Sequence, residues 1–182
     1  MLQDFIIPFF TIGLAEFGDK TQLAVLGLST KTKKHLPLIL GVVLAFIITD
    51  GLAILLGDWI SNFIPMDYIK IIAGIIFILF GVILLMNSKE EKEKYELKNP
   101  FISSFLLITM MEMGDKTQIA AALFATKFNP FLVFLGVITA LLALSILAVY
   151  AGKFIVKKVD KKVVSKVAGI LFILIGLSSF IF

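Results

Sequence analysis

The sequence predicts an all-α integral membrane protein of six transmembrane helices, arranged as two inverted-topology three-helix repeats. Three observations predict it. The 182-residue chain is 59% hydrophobic, with a mean hydropathy of +1.04, where soluble domains average about 45–50% apolar. Apolar runs of bilayer length recur along it, a spanning helix needing about 20 such residues. A charged decapeptide, AEFGDKTQLA from Ala15 to Ala24, returns as MEMGDKTQIA from Met111 to Ala120, with seven of ten positions identical.

The first apolar segment, Phe5 to Ser29, holds the first motif copy together with Pro8, Gly13 and Gly18. Asp4 stands where a signal peptide would be basic, and the apolar run outlasts a signal sequence, so the segment reads as a retained helix. Leu36 to Trp59 and Tyr68 to Met86 are the second and third spans. The polar stretch SKEEKEKYELKN, Ser88 to Asn99, carries four Lys and four Glu and reads as a solvated strap. Pro100 to Thr126 holds the second copy, Pro130 to Gly152 is the fifth span, and Val164 to Phe182 is the sixth. Residues 1–87 thus form repeat 1, 88–99 a charged cytoplasmic linker and 100–182 repeat 2.

The halves match beyond the decapeptide. Leu40-Gly41-Val42 corresponds to Leu135-Gly136-Val137, Ile72-Ala73-Gly74-Ile75 to Val167-Ala168-Gly169-Ile170, and Gly81 to Gly176. Three spans per unit force the second unit to enter the membrane in the opposite sense, a plan common among secondary transporters with the site between repeats. Thirteen lysines lie in or beside the connections after spans one, three and five, whereas only Lys70 and Lys127 lie on the other side; Lys20 and Lys116 belong to the motifs. The positive-inside rule therefore places the basic loops in the cytoplasm and both termini outside. Trp59 and Tyr68 fit an outer interfacial belt. Gly74 and Gly81, like Gly169 and Gly176, read as helix-packing faces.

Ionisable residues at membrane depth are costly and mark ion paths or partners. On a continuous helix Glu16 and Asp19 share a face, as do Glu112 and Asp115, while Lys20 and Lys116 lie four residues after their glutamates, within reach of intrahelical pairing. Gly18 and Gly114 permit close approach or local unwinding. Thr21, Gln22, Thr117 and Gln118 add neutral oxygen ligands. Facing one another, four carboxylates and two ammoniums leave a formal charge of −2, the match of one divalent cation. Carboxylate, amide and hydroxyl oxygens suit Ca²⁺, Mn²⁺ or Mg²⁺ and argue against Cu⁺ and, less firmly, Zn²⁺. An emptied low-dielectric site cannot hold several close negative charges, so protons replace the cation, and exclusive occupancy with alternating access yields antiport. Moving two charges outward against about 100 mV costs roughly 4.6 kcal/mol, at about 2.3 per charge, a demand that proton coupling can meet. Asp50 is a third intramembrane carboxyl, readable as a proton relay, as a neighbour of the site or as an interfacial residue; its repeat counterpart lies near Ser145.

Several classes are excluded or disfavoured. Cysteine is absent, which removes disulfides, thiolate metal sites and cysteine nucleophiles. The net charge of +4 sits in loop lysines and carries no nucleic-acid signal. The single histidine, His35, reads as a loop surface residue, so an intramembrane hydrolase lacks its base. No nucleotide-binding motif stands in the chain.

The two E-x-G-D-K-T copies resemble the signature of the GDT-type family of Ca²⁺/Mn²⁺:proton exchangers, which includes Golgi manganese/calcium transporters and bacterial manganese exporters. The likeness extends to segment number, repeat plan and charged linker. It implies that Glu16, Asp19, Glu112 and Asp115 are the cation-site acids with Thr21 and Thr117 beside them, and that Lys20 and Lys116 balance charge or compete with the cation. It also implies Mn²⁺ or Ca²⁺ as transported substrate, H⁺ as counter-ion, no permanently bound cofactor, and residence in a prokaryotic cell membrane. An exporter of Cd²⁺ or of a cationic amino acid, and a passive divalent cation channel, are the alternative readings; two repeats within one chain favour a carrier over a channel.

Overall fold

The computed structural model describes residues 1–86, 99–158 and 161–180. Its regular elements are α1 (Leu2–Glu16), α2 (Lys20–Ser29), α3 (His35–Ser61), α4 (Met66–Met86), α5 (Pro100–Glu112), α6 (Lys116–Lys127), α7 (Pro130–Lys158) and α8 (Lys161–Ser178). Prolines set several starts, since a missing N–H costs nothing in the first helical turn. Pro100 opens α5 behind Asn99, whose side chain accepts from the Phe101 and Ile102 amides, and Pro130 opens α7. Residues 88–98 of the expected linker lie outside the described residues.

The expected second and third spans are met by α3 and α4 within a few residues, and α7 and α8 extend the fifth and sixth towards each other. The first and fourth need correction. Each is two helices, because the chain leaves the α conformation at residues 17–19 and again at 113–115. α1, with 15 residues, reaches about 22 Å at 1.5 Å per residue, short of a hydrocarbon core of about 30 Å. Among the described residues, α3 and the Pro130–Tyr150 part of α7 are long and apolar enough to cross a membrane, with mean hydropathy 2.6 and 2.8.

The halves interlock. α1 and α2 pack against α7 of the other half, and α5 and α6 pack against α3. α4 and α8 make the most extensive helix pair. Their interface is built on the four expected glycines. A β-carbon on Gly81 would stand 2.6 Å from the Gly169 carbonyl oxygen, and one on Gly176 would stand 2.8 Å from that of Gly74. Gly74 therefore meets Gly176 while Gly81 meets Gly169, so the two helices run antiparallel with equivalent glycines exchanged. Phe77 packs on its own counterpart Phe172, ring centroids 5.7 Å apart, and a β-carbon on Gly136 would strike Phe5 as one on Gly41 would strike the equivalent Phe101. These contacts obey an approximate two-fold relation.

Apolar residues form the core and also cover much of the outside. Large apolar side chains such as Leu40, Leu52, Leu55, Ile72, Leu79 and Leu174 stand exposed on the outer helix faces. Glu16, Thr21, Asp50, Glu112 and Thr117 are buried between helices. An exposed apolar surface of this extent suits contact with a membrane or with another protein. Trp59 and Tyr68 lie on that surface. Lys70 and Lys127 line one cavity with Ile69, Phe77 and Phe124, and so sit at the same end of the bundle. Partial burial, and then the neighbouring Lys70 ammonium, lower Lys127 below the usual lysine value. His35 is half-buried and stacks edge-on against Tyr150, 5.4 Å between centroids.

The α4–α8 contact makes a direct prediction. Gly81→Ala should destabilise the protein by about 1–3 kcal/mol through overpacking, read as a lowered melting temperature in detergent. Gly13→Ala, whose β-carbon would meet only the Ala140 methyl at 3.5 Å, should leave it unchanged or slightly raised.

Candidate cation site

Both helix breaks are built the same way. Gly18 and Gly114 adopt φ of 78° and 81°, the left-handed region that costs other L-residues about 1–2 kcal/mol. α1 ends at Glu16 and α5 at Glu112, one residue before the variable position of the motif. Asp19 and Asp115 are then the N-cap residues of α2 and α6. Neither aspartate caps its helix with its side chain, so both carboxylates remain available near a positive helix terminus. The glutamines close the gap. Gln118 Oε1 accepts from the Gly114 amide at 2.7 Å, and its Nε2 donates to the Thr49 carbonyl of α3 at 2.9 Å. Gln22 accepts from the Gly18 amide and donates to the Leu144 carbonyl of α7 at 3.5 Å. Each glutamine thus ties its own break to the long helix of the other half.

The breaks bring the two motifs together. One carboxylate oxygen each from Glu16, Asp19 and Asp115 falls within 4.8 Å of the others. The Lys116 ammonium sits among them, 3.0 Å from Asp19 Oδ2, 3.3 Å from Asp115 Oδ2 and 3.7 Å from Glu16 Oε1. Lys20 reaches Asp115 Oδ1 at 3.6 Å from a position nearer the surface. Thr21 donates to Glu112 Oε1 at 2.6 Å, whereas Thr117 donates to Asp115 Oδ2 at 3.3 Å. Glu112 Oε2 is buried with no hydrogen-bond donor, the kind of orphaned buried acceptor that calls for an ion or a proton; Glu16 Oε1, also without a hydrogen-bond donor, has the Lys116 ammonium at 3.7 Å. Asp50 is buried in α3, accepts from Thr49 Oγ1 at 3.4 Å, and interacts electrostatically with Glu16, Asp115 and Glu112.

The pairing expected along each helix is corrected by this geometry. Glu16 and Asp19 do not share a helical face, because the helix ends between them, and the same holds for Glu112 and Asp115. Neither lysine pairs with the glutamate four residues before it among the described ion pairs; Lys116 reaches across to Glu16 and Asp19, and Lys20 reaches across to Asp115. Glu112 stands apart from the three-acid cluster. The carbonyl oxygens of Gln22 and Gln118 accept from the Gly18 and Gly114 amides. Asp50 is buried inside the helix bundle. Its counterpart Ser145 is also buried but satisfies itself on the Leu141 carbonyl at 2.7 Å. The partnering carbonyls of Thr49 and Leu144 carry no side-chain signal in the sequence. The breaks did carry one, since D-x-x-Q beginning at Asp19 and at Asp115 is a capping-box pattern announcing a helix start.

The profile described as "Divalent cation/proton antiporter GDT1" matches residues 4–92 and 100–181, and both motif copies fall inside it. The chain belongs to this family. A GDT1 protein is a membrane transporter and not an enzyme. Among its relatives is a Vibrio cholerae protein named "Putative manganese exporter", 32% identical over 179 residues that cover 97% of this chain and 90% of the relative. A GDT1-like protein of Synechocystis is 28% identical, with 98% and 97% covered, and GDT1-like protein 5 of Arabidopsis thaliana is 27% identical, with 98% and 96% covered. No solved structure matches the chain.

The positive-φ break of this GDT1 chain is testable without transport. No atom stands within 4 Å of a β-carbon placed on Gly114, so Gly114→Ala should cost only the conformational term, about 1–2 kcal/mol. Gly114→Asn should recover part of it, since Asn tolerates this region. Thermal unfolding of the three proteins checks the order Gly, Asn, Ala.

Proposed function

We propose that this GDT1 protein exchanges one divalent cation, Mn²⁺ and/or Ca²⁺, for protons at a single site made by both motifs, and exports the cation from the cytoplasm. The observation that carries the reading is the three-acid cluster: Glu16 and Asp19 from the first motif and Asp115 from the second converge within 4.8 Å. Their oxygens are hard donors, fitted to Ca²⁺ or Mn²⁺. Glu112, Thr21 and Thr117 border the cluster and complete the ligand set as the ion settles. Gln22 and Gln118 serve the site by holding the breaks open, and Lys20 and Lys116 balance its charge. The name of the Vibrio relative supports manganese and the export direction.

The architecture in this reading is six spans in two inverted repeats, 1–87 and 100–182, with 88–99 as the cytoplasmic linker. α1 with α2, and α5 with α6, act as single spans interrupted at mid-membrane. Interrupted helices at the midplane, with half-helix ends turned to the substrate, are how several secondary transporters make such sites. The antiparallel glycine contact of α4 with α8 supports the inversion. The lysine distribution supports basic loops in the cytoplasm and termini outside a prokaryotic cell membrane. Asp50, buried in α3, passes protons to the acids in this reading, and its burial supports that role. The acids hold either a cation or protons, and that exclusivity couples the two fluxes.

Proteoliposomes enclosing a pH dye should register proton movement when Mn²⁺ or Ca²⁺ is applied. Glu16→Gln and Asp115→Asn should each lower the coupled flux by more than about tenfold, the least expected for damage to a metal site. Metal flux surviving both changes would contradict the shared site. Metal flux without proton movement would make the protein a channel.

A further inference from the structure

The two halves agree in backbone angle, capping residue, glutamine clasp and glycine contact, and they disagree in their lysines. Lys116 has a side chain 19% exposed and contacts carboxylates of three residues, while Lys20 is 43% exposed and contacts one. The threonines disagree in the complementary way. Thr21 crosses to Glu112, but Thr117 turns back to Asp115 in its own motif. Each glutamate therefore has one partner from the opposite motif: Glu16 takes the lysine, Lys116, and Glu112 takes the threonine, Thr21. The variable motif positions follow suit, Met113 being 72% exposed and Phe17 only partly so.

Resting on the shared-site reading above, we infer that Lys20 and Lys116 are alternating tethered occupants of the cation site, one inserted at a time. Lys116 inserted with Glu112 held by Thr21 is one access state; Lys20 inserted with Glu16 held by Thr117 is the other. Three physical points carry this. Lys116 already occupies the space between the three oxygens that a divalent ion would take, so ion and ammonium exclude each other. Two ammoniums brought into the same water-poor cluster repel strongly at its low effective dielectric constant, so the second lysine stays out. A site built from repeats related by an approximate two-fold has an exchanged arrangement of the same contacts open to it, in which the repeats trade roles. The lysine thus marks the state, and the cation binds by expelling whichever lysine is inside.

Hydrogen exchange measured by mass spectrometry on full-length protein in nanodiscs, without metal, tests the inference. The readout is the ratio of exchange rates between segments 15–22 and 111–118, which cancels a general loosening of the fold. Lys116→Gln should shift the ratio about tenfold towards faster exchange in 15–22 and slower in 111–118, as the Lys20-inserted state takes over. Lys20→Gln should leave the wild-type ratio or move it the opposite way. Lys116→Arg, which keeps the charge and guards against a variant that fails to fold, should stay nearer the wild-type ratio than Lys116→Gln does. Equal changes in both segments for both glutamine variants, or an unmoved ratio in Lys116→Gln, would overturn the alternation. Wild-type Mn²⁺ flux in proteoliposomes separates the two readings: flux with an unmoved ratio sinks only the alternation, and absence of flux sinks the transport reading itself.

Discussion

One buried ammonium surrounded by carboxylates from both halves is the interaction on which this structure turns. Glu16, Asp19 and Asp115 cannot be gathered in a water-poor interior unless a cation stands among them, because uncompensated buried charge is strongly destabilising. Lys116 supplies that cation, and in doing so it ties α1 and α2 to α6. The same need is what a divalent ion would meet more fully, with two charges in place of one. In the proposed shared site, stability without the ion and affinity for it are two outcomes of one electrostatic demand.

The helix breaks follow from it. A continuous helix would direct the acids of each motif along its own face and leave the partner motif at a distance. Ending α1 at Glu16 and restarting at Lys20 turns Asp19 into a helix N-terminus, aimed at the other half. Backbone groups left unpaired at such a break are expensive when buried, about 1–3 kcal/mol each. Gln22 and Gln118 reduce that cost by accepting from the glycine amides and anchoring to α7 and α3. The long helices in turn are held by the antiparallel α4–α8 pair, whose glycines allow backbone contact.

Much of this was readable from residues. The doubled motif and the hydropathy gave the helical class and the family, and the glycine spacing marked packing faces on α4 and α8 without naming the partner of either. The direction of the charged side chains was not readable, because i, i+3 and i, i+4 reasoning presumes a helix that continues. Gly18 and Gly114 could equally have been packing glycines, as Gly74 and Gly81 are, and only positive φ separates the two uses. The asymmetry of Lys20 and Lys116 lies beyond any reading of two identical hexads, E-x-G-D-K-T. It arises from tertiary packing, which brings Lys116 to carboxylates of three residues and Lys20 to one.

The central claim is that two motifs make one site. Equilibrium binding of Mn²⁺ to purified protein, followed by the loss of its free-ion paramagnetic resonance signal, tests that most directly. One Mn²⁺ per chain is predicted for the wild type, with binding lost on changing an acid in either half, Asp19→Asn or Asp115→Asn. Two ions per chain, or one ion retained when a single half is altered, would contradict it.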